Sequence, residues 1–280
     1  MPETPRLSPD TTVAFIGGGN MASALIGALL RAGHPAERLR VVDPGEEARA
    51  RLRRDWGVAV QPAPDAALAE ALLVVWAVKP QQFRAAAQAA AAFVGGALQL
   101  SVAAGIRCAS IAAWTGAARI VRSMPNTPAL VGRGMTGLYA TAQATAADRA
   151  LAEAVLGLTG ALLWVDDEAL LDAVTALSGS GPAYVFYLLE AMREAGAAMG
   201  LPPAQALTLA IETFAGAAEL ARQAGEPPEA LRARVTSKGG TTAAALEVLQ
   251  ARDVHGAFAA ALQAAQRRAK ELADEFGRTD

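Results

Sequence analysis

The residues best suited to bind a cofactor lie near the start of the chain, where three consecutive glycines follow a short apolar run. They form the pattern Gly17-x-Gly19-x-x-Ala22. In such a pattern the first glycine permits a tight turn, the second lets the backbone approach a pyrophosphate, and the third small residue lets helix pack on strand. A pyrophosphate is stabilised at the helix N-terminus by unpaired N–H groups and by the helix dipole. The alternative is a glycine turn that only reverses the chain.

An acidic residue at the end of the next predicted strand is the second part of this pattern. Residues 39–43 form that strand, and Asp43 ends it near the spacing at which a carboxylate meets the cofactor's ribose. A carboxylate there favours NADH, because it accepts hydrogen bonds from both ribose hydroxyls and repels a 2′-phosphate. The arginines at 49–54 are interpreted as a solvated helix face, although one of them can offset Asp43 by reaching the phosphate. Use of both NADPH and NADH is therefore expected.

Two glycine-rich stretches in the second half are candidates for binding a substrate. Residues 178–184 read SGSGPAY and residues 236–242 read TSKGGTT, and each precedes a predicted helix. Such stretches present backbone N–H groups and hydroxyls at a helix N-terminus, which can bind a small carboxylate. The alternative is ordinary N-capping by Ser or Thr, which needs only one hydroxyl. The clustering of hydroxyls favours substrate binding.

Histidine, cysteine and metal chemistry are not supported by the sequence. His34 lies in a predicted turn and His255 between predicted helices, so both are expected at the surface or in structural roles. Cys108 is the only cysteine, which excludes an intrachain disulfide and a cysteine-based metal cluster and agrees with a cytoplasmic location. No metal site is expected, and cofactor chemistry is the remaining interpretation.

The elements that must position these residues alternate between strand and helix up to about residue 165. After the first strand, further strands are predicted at residues 39–43, 58–60, 72–78, 97–102, 119–122, 135–140 and 161–165. Between them, helices are predicted at residues 46–56 and near residues 65–70. Up to the strand at 119–122, this alternation predicts right-handed crossovers and a parallel sheet, and the last two strands complete the domain. Ligands bind beyond the carboxyl ends of such strands, where residues 17–19, 43, 79–80, 103–104 and 123–128 are expected to gather.

From residue 166 onward the pattern is helical. Residues 184–199 are apolar on most sides, as in a helix buried within a bundle or at a subunit interface. The fold class is therefore an α/β Rossmann-type dinucleotide-binding domain, residues 1–165, followed by an all-α domain, residues 166–280. The second domain is assigned to dimerisation and substrate binding.

Composition and charge exclude several other classes of protein. The formal net charge of −2 gives no electrostatic reason to expect nucleic acid or an acidic membrane as a partner. The uncharged run at 85–106 is interrupted by glutamines and by two glycines, so a helix, a turn and a strand explain it better than a membrane span. Residues 1–10 contain three prolines and no apolar core, which indicates a loose tail and no signal peptide.

Five further motifs extend these observations. Residues 77–81 read AVKPQ, 101–105 SVAAG, 124–128 MPNTP, 176–184 ALSGSGPAY and 235–242 VTSKGGTT, the last continuing to Leu249-Gln250. With the glycine turn, they resemble over nearly the whole chain the Δ1-pyrroline-5-carboxylate reductases, which catalyse the last step of proline biosynthesis. The resemblance implies a homodimer joined through the helical domain, with active sites built from two chains, and in many members a ring of dimers.

The resemblance also implies roles for individual residues. Thr242 is the catalytic candidate, because its hydroxyl is expected to face the imine nitrogen of pyrroline-5-carboxylate. The expected substrate-binding residues are Ser237, Gly240, Thr241 and Thr242, with Glu168 as a further candidate. The expected cofactor-binding residues are Gly17, Gly18, Gly19, Asn20, Met21, Ala22, Asp43, Ala77, Val78, Lys79, Pro80, Ala103, Ala104 and Asn126.

Two departures from the family pattern and two rival functions stay open. Pro64-Asp65 and Asp43-Pro44 differ from many relatives, and both touch the part of the site expected to bind the adenosine ribose. One rival is a β-hydroxyacid dehydrogenase or related imine reductase, which would depend on Lys238 to protonate an alkoxide. The other is a non-catalytic NAD(P)-sensing dimer, which leaves the TSKGGTT stretch unexplained.

Overall fold

The computed structural model describes residues 7–277, which divide into two compact units. One unit lies within residues 1–180 and 265–280, and the other comprises residues 181–264. The predicted N-terminal tail falls partly outside the described residues. The predicted domain boundary after residue 165 stays a prediction.

The first unit contains an eight-stranded sheet in the order β3-β2-β1-β4-β5-β6-β7-β8. Its strands are β1 Val13–Ile16, β2 Leu39–Val42, β3 Val60–Gln61, β4 Leu73–Trp76, β5 Leu98–Ser101, β6 Ile120–Met124, β7 Gly134–Ala140 and β8 Gly160–Trp164. The runs VAFI and LVVW are buried at every position, as a parallel strand covered on both faces requires. The order of the first six strands is that of a dinucleotide-binding sheet.

Strands β1 to β6 pair in parallel, which confirms the predicted parallel sheet, whereas the direction of β7 differs. Strand β7 runs antiparallel to β6, with Val121 opposite Ala140 and Met124 opposite Gly137. Only residues 125–133 connect the two strands, and they contain a single 3₁₀ turn at Thr127–Val131. Because a parallel return needs a crossover of about a dozen residues or more, this short connection gives an antiparallel pair. Strand β8 then pairs parallel to β7.

Six helices of the first unit cover the sheet or lead out of it. They are α1 Asn20–Arg31, α2 Glu46–Trp56, α3 Pro80–Val94, α4 Cys108–Thr115, α5 Ala146–Leu156 and α6 Leu170–Val174. One apolar cluster joins the sheet to α1, α2 and α5, and a second joins the opposite face to α3 and α4. A π-helical turn, Thr175–Gly179, follows α6.

Three local predictions were displaced. The third strand is Val60–Gln61 instead of 58–60, and the short helix near 65–70 is the 3₁₀ helix Ala66–Glu70, with Asp65 as its N-cap. His255 lies inside a helix instead of between two helices. The prediction that strands end before residue 166 is confirmed for the described residues.

The second unit is helical. It contains α7 Gly181–Ala198, α8 Pro203–Ala224, α9 Pro228–Arg234, α10 Thr241–Ala251 and the first part of α11 Val254–Phe276. Helices α7 and α8 pack closely: a Cβ built on Gly196 would lie 2.7 Å from the Cβ of Ala206. Among the described helices, none is both long and apolar enough to cross a membrane.

Candidate active site

The glycine turn between β1 and α1 has the geometry of a backbone cradle. Gly17 has a φ of +98°, and a Cβ on it would lie 2.6 Å from the carbonyl oxygen of Ala77. The Gly17 N–H donates to the carbonyl of Val42, which anchors the turn to the end of β2. Helix α1 begins at Asn20 with Gly19 as N-cap and no side-chain cap, so its first N–H groups are open to a ligand. Met21 is half-buried and Ala22 is buried, and both pack against the core.

Asp43 points at this turn. Its Oδ2 accepts a hydrogen bond from the Gly18 N–H at 2.7 Å, and its Oδ1 accepts one from the Gly45 N–H at 2.7 Å. The carboxylate therefore joins the glycine turn to the loop that follows β2. Both bonds are charge-assisted and leave further lone pairs on each oxygen.

Two arginines of α2 donate to backbone carbonyls at the glycine turn and at the end of β2, contacts that the sequence did not predict. Arg51 donates from Nη2 to the carbonyl of Gly18 at 2.8 Å, and Arg49 donates from Nη1 to the carbonyl of Asp43 at 3.0 Å. Both side chains are partly buried, so the interpretation of this cluster as a solvated helix face is wrong for them. The signal available in the sequence was their position on the helix directly after the acidic strand end.

The residues expected near the nicotinamide lie at the ends of the adjacent strands. After β4, Ala77 donates its N–H to the carbonyl of Ile16 at 2.8 Å, and half-buried Val78 lies against Gly17. Exposed Lys79 is the N-cap of α3 and Pro80 is its first residue. After β5, buried Ala103 and half-buried Ala104 continue the same edge. The structure therefore brings residues 17–22, 43, 77–80 and 103–104 together along one edge of the sheet.

Asn126 is engaged in bonds within the first unit. Its Nδ2 donates to the carbonyl of Ser178 at 3.0 Å, and its Oδ1 accepts from the Met135 N–H at 2.9 Å. The amide thus connects the loop after β6 to β7 and to the π-helical turn. Its expected contact with the cofactor stays a prediction.

Glu168 is also bonded within the first unit. Its Oε1 accepts from the Cys108 N–H at 2.8 Å and forms an ion pair with Arg122 Nη1 at 3.0 Å. The Arg122 side chain is only 4% exposed. Sequence reasoning missed Arg122, although a charged residue within the apolar strand IVRSM was a signal for a buried ion pair.

The candidate substrate residues lie in the second unit, at the start of α10. Gly240 is the N-cap of this helix and makes no side-chain cap bond. The Gly240 N–H donates to the carbonyl of Ser237, which folds the TSKGGTT stretch into a turn. Ser237 and Thr241 are exposed and Thr242 is half-buried. N-capping by a single Ser or Thr, the alternative explanation of this stretch, is not what the structure shows.

His34 and Cys108, which were not expected to take part in catalysis, are both buried. His34 is buried, and burial lowers its pKa. Burial also raises the pKa of the Cys108 thiol, with the charge of Glu168 acting in the same direction. Within residues 7–277, no group of three or more His, Cys, Asp or Glu side chains is placed to hold a metal ion.

The sequence of this chain is similar to those of known proteins over nearly its full length. The chain is 48% identical over 267 residues to the pyrroline-5-carboxylate reductase of Pseudomonas aeruginosa, covering 95% of this chain and 98% of the relative. The chain belongs to the pyrroline-5-carboxylate reductase family. The family model for pyrroline-5-carboxylate reductase dimerisation matches residues 168–272, and a model described as NADP oxidoreductase, coenzyme F420-dependent, matches residues 12–105.

Solved structures of pyrroline-5-carboxylate reductases share the fold over nearly the whole chain. The structure from Coxiella burnetii has a TM-score of 0.88 at 36% identity and covers 96% of this chain and 100% of that one. The structure from Plasmodium falciparum, solved with NADP bound, has a TM-score of 0.85 at 25% identity and covers 95% of this chain and 99% of that one. A Rossmann-type domain followed by a helical dimerisation domain is thus the fold of this family member.

Proposed function

We propose that this chain catalyses the NAD(P)H-dependent reduction of L-1-pyrroline-5-carboxylate to L-proline. The observation that carries the proposal is the start of α10, where Gly240 as N-cap leaves the hydroxyls of Thr241 and Thr242 beside open helix N–H groups. Such a turn suits a substrate that carries a carboxylate next to a polar imine nitrogen. The family membership supports the same reaction.

The cofactor residues follow from the cradle at the sheet edge. We assign the pyrophosphate to the turn formed by Gly17, Gly18, Gly19 and the first residues of α1, because a Cβ at Gly17 would occupy backbone space there. The nicotinamide half is assigned to Ala77, Val78, Lys79, Pro80, Ala103 and Ala104. When bound, NAD(P)H supplies the hydride that reduces the C=N bond. The alanine, valine and proline side chains of this set are small and apolar and leave room for a flat ring, whereas Lys79 is exposed at the start of α3.

The substrate residues are assigned to the start of α10. Ser237, Gly240 and Thr241 are proposed to bind the carboxylate, and the Thr242 hydroxyl is proposed to hydrogen-bond the ring nitrogen. A protonated cyclic imine is already electrophilic, so positioning and one hydrogen bond suffice without a strong general acid. This agrees with a site rich in hydroxyls and backbone N–H groups.

Both cofactors are proposed to be used. Asp43 keeps lone pairs free for ribose hydroxyls, whereas Arg49 donates to the Asp43 backbone carbonyl and Arg51 to the Gly18 carbonyl, so either guanidinium can favour a 2′-phosphate bound beside this turn. The two effects oppose each other, so neither NADH nor NADPH is excluded.

The second unit is proposed to form a homodimer. Its large apolar side chains are exposed at Phe186, Tyr187, Leu209 and Val248, with exposed fractions of 58%, 71%, 57% and 60%. Apolar surface of this extent requires a partner, and a twofold interface lets the same surface serve both chains. Assembly into a ring of dimers and a cytoplasmic location are further proposals, the latter supported by the single buried cysteine, Cys108.

The proposal is tested by following oxidation of NADPH and NADH with pyrroline-5-carboxylate. Thr242→Ala should lower turnover about ten- to a thousandfold while dinucleotide binding is retained, because a lost transition-state hydrogen bond costs ~1.5–4 kcal/mol. Thr242→Ser is the matched control, since it keeps the hydroxyl and should keep most of the activity. Full turnover in Thr242→Ala would refute the role of this residue.

The rival functions give different results in the same assay. A β-hydroxyacid dehydrogenase oxidises 3-hydroxy acids with NAD(P) and leaves the cyclic imine unchanged. A sensing dimer binds the dinucleotide but does not oxidise NAD(P)H with any cyclic imine.

A further inference from the structure

The first N–H of helix α4 is capped from a distant part of the chain. Arg107, the N-cap of α4, makes no side-chain cap bond. Instead the Cys108 N–H donates to Oε1 of Glu168, which lies 60 positions further along the chain. A carboxylate at a helix N-terminus satisfies an open donor and interacts favourably with the helix dipole. Glu168 therefore fixes the beginning of α4.

A buried arginine holds this carboxylate in place. Arg122 Nη1 lies 3.0 Å from Glu168 Oε1, and Arg122 Nη2 lies 3.8 Å from Asp172 Oδ1. Because the Arg122 side chain is 4% exposed, its charge requires a partner inside the protein. The shorter of its two contacts is with Glu168, so Glu168 is tied to the centre of strand β6 as well as to α4.

The beginning of α4 is also fixed from the side of α11. Arg107 Nη2 lies 2.6 Å from Asp274 Oδ1, and Ser110 Oγ donates to the carbonyl of Gly277 at 2.8 Å. At Gly105, a Cβ would lie 3.4 Å from the backbone nitrogen of Ala273. The loop at residues 102–107 is thus held between α11 and the Glu168–Arg122 pair.

This loop is the one that carries Ala103 and Ala104. Neither residue has side-chain atoms beyond a methyl group, so each depends on the backbone of the loop for its position against a nicotinamide. A displacement of about 1 Å in such a contact can lower a rate about a hundredfold.

The Glu168–Arg122 pair lines a charged cleft. Its volume is about 640 Å³, and it is lined by arginines, one lysine and three carboxylates. Arg107 and Arg122 are already paired with carboxylates. The pairing of these two arginines indicates that they join the elements around the cleft.

We propose that Glu168 is a positioning residue, which holds the nicotinamide-side loop at 102–107 through the Cys108 N–H instead of touching the substrate. This role replaces the substrate contact that the family resemblance implied for Glu168. It rests on the proposed assignment of Ala103 and Ala104 to the nicotinamide half of the cofactor.

The experiment compares full-length wild type with Glu168→Ala, Glu168→Gln and the matched control Asp172→Asn, which alters the other neighbour of Arg122 but not the cap. Kd is measured calorimetrically for NADPH and for ADP-ribose, which has the adenosine and pyrophosphate but no nicotinamide. Turnover and KM for pyrroline-5-carboxylate are measured with saturating NADPH, and thermal melts show that each variant is folded at the assay temperature.

In Glu168→Ala, we expect kcat to fall about ten- to a hundredfold and NADPH binding to weaken. Kd for ADP-ribose and KM for pyrroline-5-carboxylate should stay within about twofold of wild type, a difference well below that of a lost anchoring contact. Glu168→Gln keeps an acceptor for the Cys108 N–H and should recover part of the lost kcat. Asp172→Asn should have a smaller effect than either.

Three results would overturn this inference. A raised KM for the substrate with unchanged NADPH binding would indicate direct contact between Glu168 and the substrate. Equal weakening of NADPH and ADP-ribose would indicate a general structural role, and unchanged kinetics in both variants would indicate none. A wild-type protein that binds NADPH without reducing the imine would instead refute the proposed function, and the binding comparison would still test the loop.

Discussion

Gly17→Ala is expected to damage both the fold and the cofactor site, because the new methyl group meets backbone that cannot move away. The φ of +98° strains an L-residue by about 1–3 kcal/mol. In addition, the Cβ would lie 2.6 Å from the Ala77 carbonyl oxygen and 2.9 Å from Val78 Cγ1. Overpacking of this kind costs about 1–3 kcal/mol more. The expected total loss of unfolding free energy is therefore about 2–6 kcal/mol.

Gly33→Ala separates the two contributions. Gly33 has a similar φ of +88°, but nothing lies within 4 Å of its Cβ position. It should therefore show the backbone strain without the steric contact, and the difference between the variants should be about 1–3 kcal/mol. For a chain of this size, that corresponds to a melting temperature about 2–12 °C lower for Gly17→Ala.

The assay combines urea unfolding with titration of NADPH. Gly17→Ala should raise the Kd for NADPH at least about tenfold, equivalent to ~1.4 kcal/mol, because the turn must open to admit the methyl group. Gly33→Ala should bind NADPH as wild type does. Equal stability and equal NADPH affinity in the two variants would refute the argument that the Ala77 carbonyl requires glycine at position 17.

The remaining predictions concern cofactor choice, pH dependence and assembly. Asp43→Ser should raise the ratio of kcat/KM for NADPH to that for NADH about ten- to a hundredfold. The reason is that a carboxylate and a 2′-phosphate charge ~4 Å apart repel each other by about 4 kcal/mol at an effective dielectric near 20, a value that water and nearby arginines reduce. An unchanged ratio would show that Asp43 does not contact the ribose. Burial lowers the pKa of His34 below its ordinary 6.5, so the unfolded chain binds the extra proton. The unfolding free energy should therefore fall as pH drops below about 6.5, and His34 should contribute at most ~1.4 kcal/mol per pH unit to this fall. The fall should be less steep in His34→Gln. Equal pH dependence of the unfolding free energy in wild type and His34→Gln, measured by urea unfolding, would contradict this. Phe186→Glu with Tyr187→Lys should give monomers by light scattering with activity lost in parallel, because these apolar side chains are 58% and 71% exposed and are proposed to pack against the second chain. A fully active monomer would rule out this interface.

Local patterns predicted most of the elements, and the ends of some helices closely. Helix α2 occupies residues 46–56 as predicted, because acidic residues at its start and Gly57 after its end both act within one helical turn. The glycine turn was also predicted, because its signal likewise lies within a few consecutive residues. The direction of β7 was not predicted, because strand direction depends on the length of a connection whose ends were known only approximately from the sequence.

The sequence by itself determined the Rossmann-type fold, the helical second half, the glycine cradle and the family, because each depends on residues close together in the chain. Only the tertiary structure decided that Arg51 reaches the carbonyl of Gly18, that Asp43 accepts from two backbone N–H groups, and that Glu168 caps α4 beside buried Arg122. Except for the local bond from the Gly45 N–H to Asp43, these contacts join residues 25 to 60 positions apart. The sequence shows that a side chain is charged, but it does not show whether that side chain is solvated or paired. Its burial and its bonding partners depend on how distant elements pack.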